Sequence, residues 1–128
     1  GAAFTTVPED AVIYNQPHRI IRNCSAVSWA GMLTSKTLFS RLKGFDEGLD
    51  HLGDIDFCLR ANLDRAWVVW TPFTEIQNEF IHENGSPPLS PQEKGYFSSK
   101  WKDVLEKPDP FYNVNLSLQY SDFSPNIG

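Results

Sequence analysis

The sequence lacks the long apolar run that a membrane-spanning helix requires. Its longest strongly apolar stretch is Ala66 to Trp70, far short of the roughly 20 residues that cross a bilayer. The N-terminus also lacks the basic segment followed by an apolar one that marks a signal peptide. These two absences predict a soluble chain without a transmembrane segment.

Cysteine is scarce, since the chain has only Cys24 and Cys58. Two cysteines do not make the disulfide framework of a small secreted domain. Each lies among apolar residues, which predicts buried free thiols rather than a disulfide. This pattern favours a reducing, cytoplasmic environment.

Positive charge is also in short supply. The chain has 11 Lys and Arg against 16 Asp and Glu, which gives a formal net charge of -5. Phosphate backbones require a basic face that so few scattered cations do not build, so the composition argues against a nucleic-acid partner. A metal ion or a neutral ligand rich in hydroxyl groups fits this charge better.

What the chain has is enough apolar material for one core. Its 128 residues are 41% hydrophobic, which predicts a single domain or a fragment of one. The absence of a clear periodicity in residues 1–18 predicts that they form a connection or a ragged terminus. The core is predicted over residues 19–107, followed by an extended C-terminal tail over residues 108–128.

Helices and strands are predicted to be intermixed. Residues 19–33, 65–73 and 75–83 have the β-branched, aromatic or alternating pattern of strands. A short helix is predicted between Ser35 and Gly44, as cap and terminator, and a second begins near Asp54. The order of these elements predicts an α/β fold, a small mixed sheet with covering helices.

A third helix is predicted from its start signal. Ser90 and Pro91, with Glu93 at the third helical position, form a capping box that has proline at the first helical position. Its apolar face is predicted to comprise Phe97, Trp101, Val104 and Leu105.

The acidic stretch over residues 44–60 is "GFDEGLDHLGDIDFCLR". Its Asp54 and Asp56 form an Asp-x-Asp pair, but the pair leads into a helix, where side chains two residues apart point about 200° apart. The two carboxylates are therefore predicted to have separate roles. The residue spacing does not match an EF-hand loop. Two interpretations of Asp54 stay open: a helix cap, or a general base in front of a cleft.

Several motifs occur in the order typical of bacterial glycosyltransferase family 2 domains. From about Arg19 to Phe123 the chain resembles the C-terminal half of such a domain, with a GT-A type fold. The matching stretches are "RNCSAVSWAGMLTSKTLFSRLKGFDEGLDHLGDIDFCLRA", "WVVWTPF", "FIHENGS" and "FSSKWKDVLEKPDPFYNVNLS".

The resemblance implies the acceptor-side portion of an inverting enzyme that transfers a sugar from a nucleotide-sugar to a glycan or polysaccharide. Asp54 matches the catalytic base, and Asp56 a structural position that pairs with a base such as Arg60. Phe45, Asp46 and Glu47 match the loop beside the acceptor. The location implied is the cytoplasm, at the inner face of the membrane.

Two interpretations stay open for each of two residues, His82 and Trp29. His82 matches a histidine that in related enzymes helps to bind the metal or the diphosphate, and its structural alternative is a strand residue paired with Glu79 or Glu83. Trp29 replaces a small residue near the acceptor, where its indole could form a platform for a sugar, or it could lie in the core. Gly53 departs from the Glu or Asn that usually precedes the base.

The resemblance also implies a missing N-terminal half of the domain. That half supplies the nucleotide-binding strands and the Asp-x-Asp motif that holds a divalent metal, Mg²⁺ or Mn²⁺, in the whole enzyme. We therefore expect this chain alone to be inactive. A sheet without its partner strands would have an exposed edge, through which a homo-oligomer could form.

Two other functions are compatible with the sequence. The chain could be a non-catalytic carbohydrate-binding or assembly module that uses its aromatic side chains. It could also be a secreted domain with glycans on its three Asn-x-Ser triplets, at Asn23, Asn84 and Asn115.

Overall fold

The computed structural model describes residues 19–74 and 88–117. Their elements, in chain order, are β1 (Arg22–Asn23), α1 (Lys36–Arg41), α2 (Gly53–Leu63), β2 (Val69–Trp70), α3 (Pro91–Lys100) and α4 (Lys102–Leu105). The prediction of a small α/β fold is confirmed. None of the helices in these two ranges has the length and apolar character needed to cross a membrane.

The sheet is shorter than predicted. β1 and β2 pair antiparallel, with Arg22 opposite Trp70 and Asn23 opposite Val69, and they form the one sheet within residues 19–74 and 88–117. The guanidinium carbon of Arg22 lies 5.1 Å from the centroid of the Trp70 ring, an attractive cation–π geometry. The prediction of a mixed sheet is not met in these residues.

The prediction of one long strand or two short ones over residues 19–33 is met only at Arg22–Asn23. Ala26, Val27 and Met32 pack on the core without forming a strand, whereas Trp29 and Leu33 are exposed. The main chain then turns where the N–H of Met32 donates to the carbonyl of Trp29 and Gly31 adopts a φ of 91°. Apolar content alone therefore does not distinguish a strand from a packed irregular segment.

The strand predicted over residues 65–73 is reduced to the two residues of β2. The segment is only partly buried, since Val68 is in the core but Trp67 and Val69 are exposed. The strand predicted over residues 75–83 lies outside the described residues.

The short helix α1 confirms its sequence signals. The Oγ of Ser35 accepts a hydrogen bond from the N–H of Leu38 at 3.2 Å. The chain leaves the helix through Lys43 and Gly44, which have φ values of 62° and 69°. A Cβ atom added at Gly44 would lie 3.2 Å from the ring of Phe39, so both the backbone and the packing favour glycine there.

Helix α2 lies between two core clusters. Ile55 and Leu59 pack against the first cluster, whose buried members are Leu49, Phe97 and Trp101. The second cluster has buried members on α2 and near β2: Cys58, Ala61 and Val68. Cys24 packs there too, and neither cysteine forms a disulfide. Burial raises the pKa of both thiols, so each favours its neutral form.

The third predicted helix divides in two at Trp101. Ser90 Oγ accepts a hydrogen bond from the N–H of Glu93 at 3.1 Å and begins α3. Trp101 then has φ −110° and ψ 17°, which interrupts the helix before α4. Phe97 and Trp101 are buried as predicted, but Val104 and Leu105 are exposed because α4 does not continue the apolar face of α3.

The first part of the predicted tail is folded. Ser25 Oγ donates to Asp109 Oδ1 at 2.7 Å, which ties residues 109–111 to the segment after β1. The hydroxyl of Tyr112 donates to the carbonyl of Ser117 at 2.6 Å, and Ser117 is buried. Residues 108–117 therefore form mostly exposed turns rather than the extended tail that was predicted.

Candidate functional site

Asp54 lies in the first turn of α2, which begins at Gly53. Its Oδ2 accepts a hydrogen bond from the main-chain N–H of Trp29 at 3.0 Å, and its Oδ1 accepts one from the N–H of Ile55 at 2.7 Å. In residues 19–74 and 88–117, no Lys or Arg forms an ion pair with this carboxylate. Neutral donors therefore fix its orientation.

The position of Asp54 also has a structural benefit. The first N–H groups of a helix have no partner within the helix, and the helix N-terminus favours negative charge. Leu52, the N-cap residue of α2, has no side-chain acceptor. The sequence predicted Asp54 as either a cap or a first-turn residue of the helix, and the structure confirms the first-turn position. Capping and base catalysis are compatible, because a carboxylate has about four lone-pair sites and two hydrogen bonds leave the others available.

Trp29 is brought next to Asp54 by its main chain. Its indole ring is not part of the core, since the residue is 70% exposed. The turn closed by Met32 and the bond to Asp54 both fix the backbone of Trp29. Of the two roles predicted for Trp29, burial in the core is excluded, and it is the main-chain N–H of Trp29 that contacts Asp54.

Asp56 points the other way and has a structural role, as predicted. Its side chain is 0% exposed. Oδ2 accepts from Nε of Arg60 at 2.7 Å, and Oδ1 lies 2.7 Å from Nζ of Lys100 and 3.0 Å from Nε1 of Trp101. The pairing with Arg60 confirms the sequence prediction, whereas the two contacts with the end of α3 were not predicted.

Arg60 extends this network to the end of α1. Its Nη1 donates to the carbonyl of Leu42 at 2.5 Å, and its Nη2 donates to the carbonyl of Gly44 at 2.8 Å. These carbonyls follow the last turn of α1, where no further helical N–H can reach them. A single guanidinium therefore joins α1, the residues after it and Asp56.

Asp46 is held by three donors. Its Oδ2 lies 2.6 Å from Nζ of Lys100 and accepts from the hydroxyl of Tyr96 at 2.9 Å, while Oδ1 accepts from the N–H of Gly48 at 2.9 Å. These hydrogen bonds, of which that from Lys100 is the strongest, lower the pKa of Asp46 from 3.8 to about 2. The Asp46 carboxylate is therefore bound by donors of the protein itself.

The Asp46 contacts predict a specific acid response. Because its pKa is lower in the folded state, the folded protein binds this proton less readily than the unfolded chain does. The stability due to Asp46 is complete above about pH 4 and is lost as the pH falls towards 2. We expect Asp46→Asn to lose less stability than the parent when the pH is lowered from about 5 to about 2.5. Urea unfolding at each pH measures the free energy of unfolding of both proteins. An equal loss in both proteins would contradict this.

The other two residues of the predicted acceptor loop differ in their surroundings. Phe45 is partly exposed, and its ring packs on Phe39 and Phe57 with both centroid distances at 5.5 Å. Glu47 is exposed. The structure thus leaves Glu47 and one side of Phe45 available to a ligand, whereas Asp46 is engaged by protein donors.

Glu93 was not predicted to take part in this region beyond its capping box. Its carboxylate does not return to Ser90. Instead, Oε1 accepts from the N–H of His51 at 2.6 Å and from the N–H of Leu52 at 2.9 Å. Glu93 is buried, so it supplies from α3 the acceptor that the start of α2 lacks.

Replacing Glu93 by alanine is expected to lower the free energy of unfolding by about 2 to 3 kcal/mol, because two main-chain donors would lose their acceptor in a buried place. Glu93→Gln keeps an oxygen at the same position and should lose about half as much. Urea unfolding of the two variants measures the difference. Equal stability of Glu93→Ala and the parent would show that water replaces this contact.

The predicted metal residue His82 lies outside the described residues, so its metal role stays a prediction. Within residues 19–74 and 88–117, no group of three or more His, Cys, Asp or Glu side chains could hold a metal ion. In particular, Asp54 and Asp56 diverge, as their spacing on a helix predicts.

Two of the concavities in the described part of the chain lie away from Asp54, which lines neither of them. The larger has a volume of about 440 Å³ and lies between the C-terminal half of α2, α4 and residues 110–111, with Trp67 and Phe111 in its lining. The smaller, of about 270 Å³, lies beside Gly48, Asp50 and Tyr96. Neither of these two concavities is therefore the cleft that a general base at Asp54 requires.

Sequence analysis did not predict that α3 and its C-terminal end contact the acidic stretch. The residues that make these contacts are Glu93, Tyr96, Lys100 and Trp101. Their spacing places them on one side of the helix, and this is a signal that the sequence contains. What the sequence does not reveal is their partners, which lie more than 40 residues earlier.

Comparison of the chain with protein-family models, with curated proteins and with solved structures found no match. The assignment of function therefore depends on the motif resemblance and on the contacts described above.

Proposed function

We propose that this chain is the acceptor-side portion of an inverting glycosyltransferase of family 2, with Asp54 as the general base. The observation that carries the proposal is the state of the Asp54 carboxylate. Two main-chain N–H groups orient it, and no lysine or arginine within the described ranges pairs with it. A base needs both a fixed direction and an accessible lone pair.

In the proposed reaction, an acceptor hydroxyl attacks the anomeric carbon of the donor sugar. The hydroxyl proton moves to Asp54 while the new carbon–oxygen bond forms. The bond from the anomeric carbon to the nucleoside diphosphate breaks on the opposite face, and the diphosphate leaves with that electron pair. Attack opposite the leaving group inverts the anomeric configuration.

Trp29 supports the acceptor role of this region. Its indole is exposed, and its main-chain N–H donates to the Asp54 carboxylate. A flat aromatic ring offers an apolar surface to the carbon–hydrogen face of a sugar. A pyranose that stacks on this ring would be placed next to the base.

The described residues do not form a site for the divalent metal that the resemblance implies. The metal, Mg²⁺ or Mn²⁺, is therefore proposed for the nucleotide-binding half of the enzyme, where its charge would stabilise the leaving diphosphate. No step assigned to Asp54 depends on it.

A carbohydrate-binding module is the second candidate, and one observation favours it. Trp29, Trp67 and Phe73 are all at least 70% exposed, and exposed aromatic rings are suited to sugar binding. Under this hypothesis the chain binds glycans, and Asp54 has only its helix-terminal role.

The two candidates are separated by an assay of transfer. A polypeptide that carries this chain together with a family 2 nucleotide-binding half is incubated with nucleotide-sugars and glycan acceptors. We expect release of nucleoside diphosphate and a product whose anomeric configuration, determined by NMR, is inverted. We expect no transfer by the 128-residue chain alone. A product with retained configuration, or transfer by the chain alone, would contradict the proposal.

A further inference from the structure

One side of α3 holds the acidic loop, defined here as residues 44–52. Glu93, Tyr96 and Lys100 are spaced by three and four residues, so their side chains lie along the same side of the helix. Glu93 binds two main-chain N–H groups of the loop, and Tyr96 and Lys100 bind the side chain of Asp46. The conformation of the acidic loop therefore depends on α3.

Lys100 differs from the other two because it joins two elements. Its ammonium lies 2.6 Å from Oδ2 of Asp46 in the acidic loop and 2.7 Å from Oδ1 of Asp56 in α2. Its side chain is 27% exposed. Burial alone would lower the pKa of Lys100, but the hydrogen bonds that its ammonium donates to Asp46 and Asp56 raise it, so the ammonium stays charged and bound to both carboxylates.

The two ends of this bridge have different stiffness. Asp56 is fully buried and also bound by Arg60 and Trp101, so it is a rigid anchor. Asp46 belongs to a loop that also contacts α3 through Tyr96, Glu93 and the packing of Leu49 on Phe97, but most of its residues are exposed. Lys100 therefore transmits the position of α2 to the loop.

We propose that Lys100 is a positioning residue, which fixes the acidic loop, with Phe45 and Glu47, relative to the turn of α2 that carries Asp54. The inference rests on the proposed function, because it assigns that loop to the acceptor side of the site. Without Lys100, the loop has to be ordered when the acceptor binds. The free-energy cost of ordering the loop then weakens the binding of the acceptor and not that of the donor.

Steady-state kinetics of the polypeptide with its nucleotide-binding half test this role. Lys100→Met keeps the aliphatic stem and removes the charge, and we expect it to raise the acceptor KM about tenfold while the donor KM changes less than about twofold. Lys100→Arg should restore most of the loss, because a guanidinium can also bond two carboxylates. The matched control is Lys102→Met, since Lys102 is 71% exposed and lies 3.9 Å from Glu106.

A second measurement does not depend on activity. Amide hydrogen exchange of Gly48, whose N–H bonds Asp46, is followed in the 128-residue chain. We expect exchange to be about tenfold faster in Lys100→Met than in Lys102→Met. Should Lys100→Met fail to fold, Tyr96→Phe removes only the hydroxyl bond to Asp46 and should give a smaller acceleration in the same direction.

The outcomes separate the two proposals. Faster exchange with a raised acceptor KM supports the positioning role. Unchanged exchange, an unchanged acceptor KM, or equal rises in the acceptor and donor KM would overturn it. A family 2 hybrid that transfers no sugar would count against the proposed function, while unchanged exchange in Lys100→Met would count against the positioning role alone.

Discussion

Replacing Asp54 by asparagine is expected to lower the rate of glycosyl transfer by about 10²- to 10⁴-fold, the contribution typical of a positioned general base. An amide has the shape of the carboxylate but accepts a proton far less readily. It also keeps an oxygen that can bind one of the two N–H groups now held by Asp54. The substitution therefore isolates the chemistry from the fold.

The stability of Asp54→Asn should confirm that separation. We expect a loss of about 1 kcal/mol or less, since one hydrogen bond and one favourable charge at the helix N-terminus are removed. Asp103→Asn is the matched control, because Asp103 is also a first-turn acid, on α4, and is exposed. Unchanged turnover in Asp54→Asn, with the protein folded and the donor bound, would remove the base assignment and favour the binding module.

Replacing Asp56 by alanine should cause the largest loss of stability, about 3 to 5 kcal/mol. The carboxylate is fully buried and bonds Arg60, Lys100 and Trp101. Its removal leaves two cations without a shared partner and an indole N–H without an acceptor. Since small domains have a free energy of unfolding of only about 5 to 15 kcal/mol, this loss is a large part of the total.

Urea unfolding measures this effect, and an exposed ion pair provides its control. Asp64→Ala breaks the pair between Asp64 and Arg41 and should change the free energy of unfolding by less than about 1 kcal/mol. If Asp56→Ala does not fold, Trp101→Phe keeps an aromatic ring but removes the Nε1 donor together with part of the buried ring system, with an expected loss of about 2 to 3 kcal/mol. Similar stabilities for Asp56→Ala and Asp64→Ala would show that the buried network contributes little.

Local sequence signals predicted the helices well. Ser35 and Ser90 each accept the N–H three residues later, as their cap patterns indicate. Gly44 adopts the left-handed conformation that its place after α1 predicts. The divergence of Asp54 and Asp56 followed from helix geometry. In each case the deciding interactions lie within a few residues, so the sequence contains them.

The sheet and the contacts of α3 could not be predicted in the same way. β1 pairs with residues more than 40 positions later, and apolar segments such as residues 24–33 can satisfy their packing on α2 without pairing. Lys100 binds carboxylates at positions 46 and 56, and although its spacing places it on the same side of α3 as Glu93 and Tyr96, the sequence does not show which groups it meets. Such partners become evident only when the helices are packed together.

Part of the candidate site was predictable for the same reason. Asp54 was identified by its motif and its place at the start of a helix, and Trp29 by its departure from the family pattern. Their direct hydrogen bond joins segments 25 residues apart and required the fold. Asp46 was assigned to the acceptor loop, but its side chain is engaged by Lys100 and Tyr96, which the composition of the loop does not indicate.

The most direct test of the base assignment is a crystal structure of this chain joined to a family 2 nucleotide-binding half, with a glycan acceptor bound. The measured quantity is the distance between the hydroxyl oxygen proposed to react and the nearer carboxylate oxygen of Asp54. We predict a distance of about 2.6 to 3.2 Å, with the acceptor ring against Trp29. An acceptor bound elsewhere, for example at Trp67, or an Asp54 carboxylate paired with a lysine or arginine in that polypeptide, would contradict the proposal.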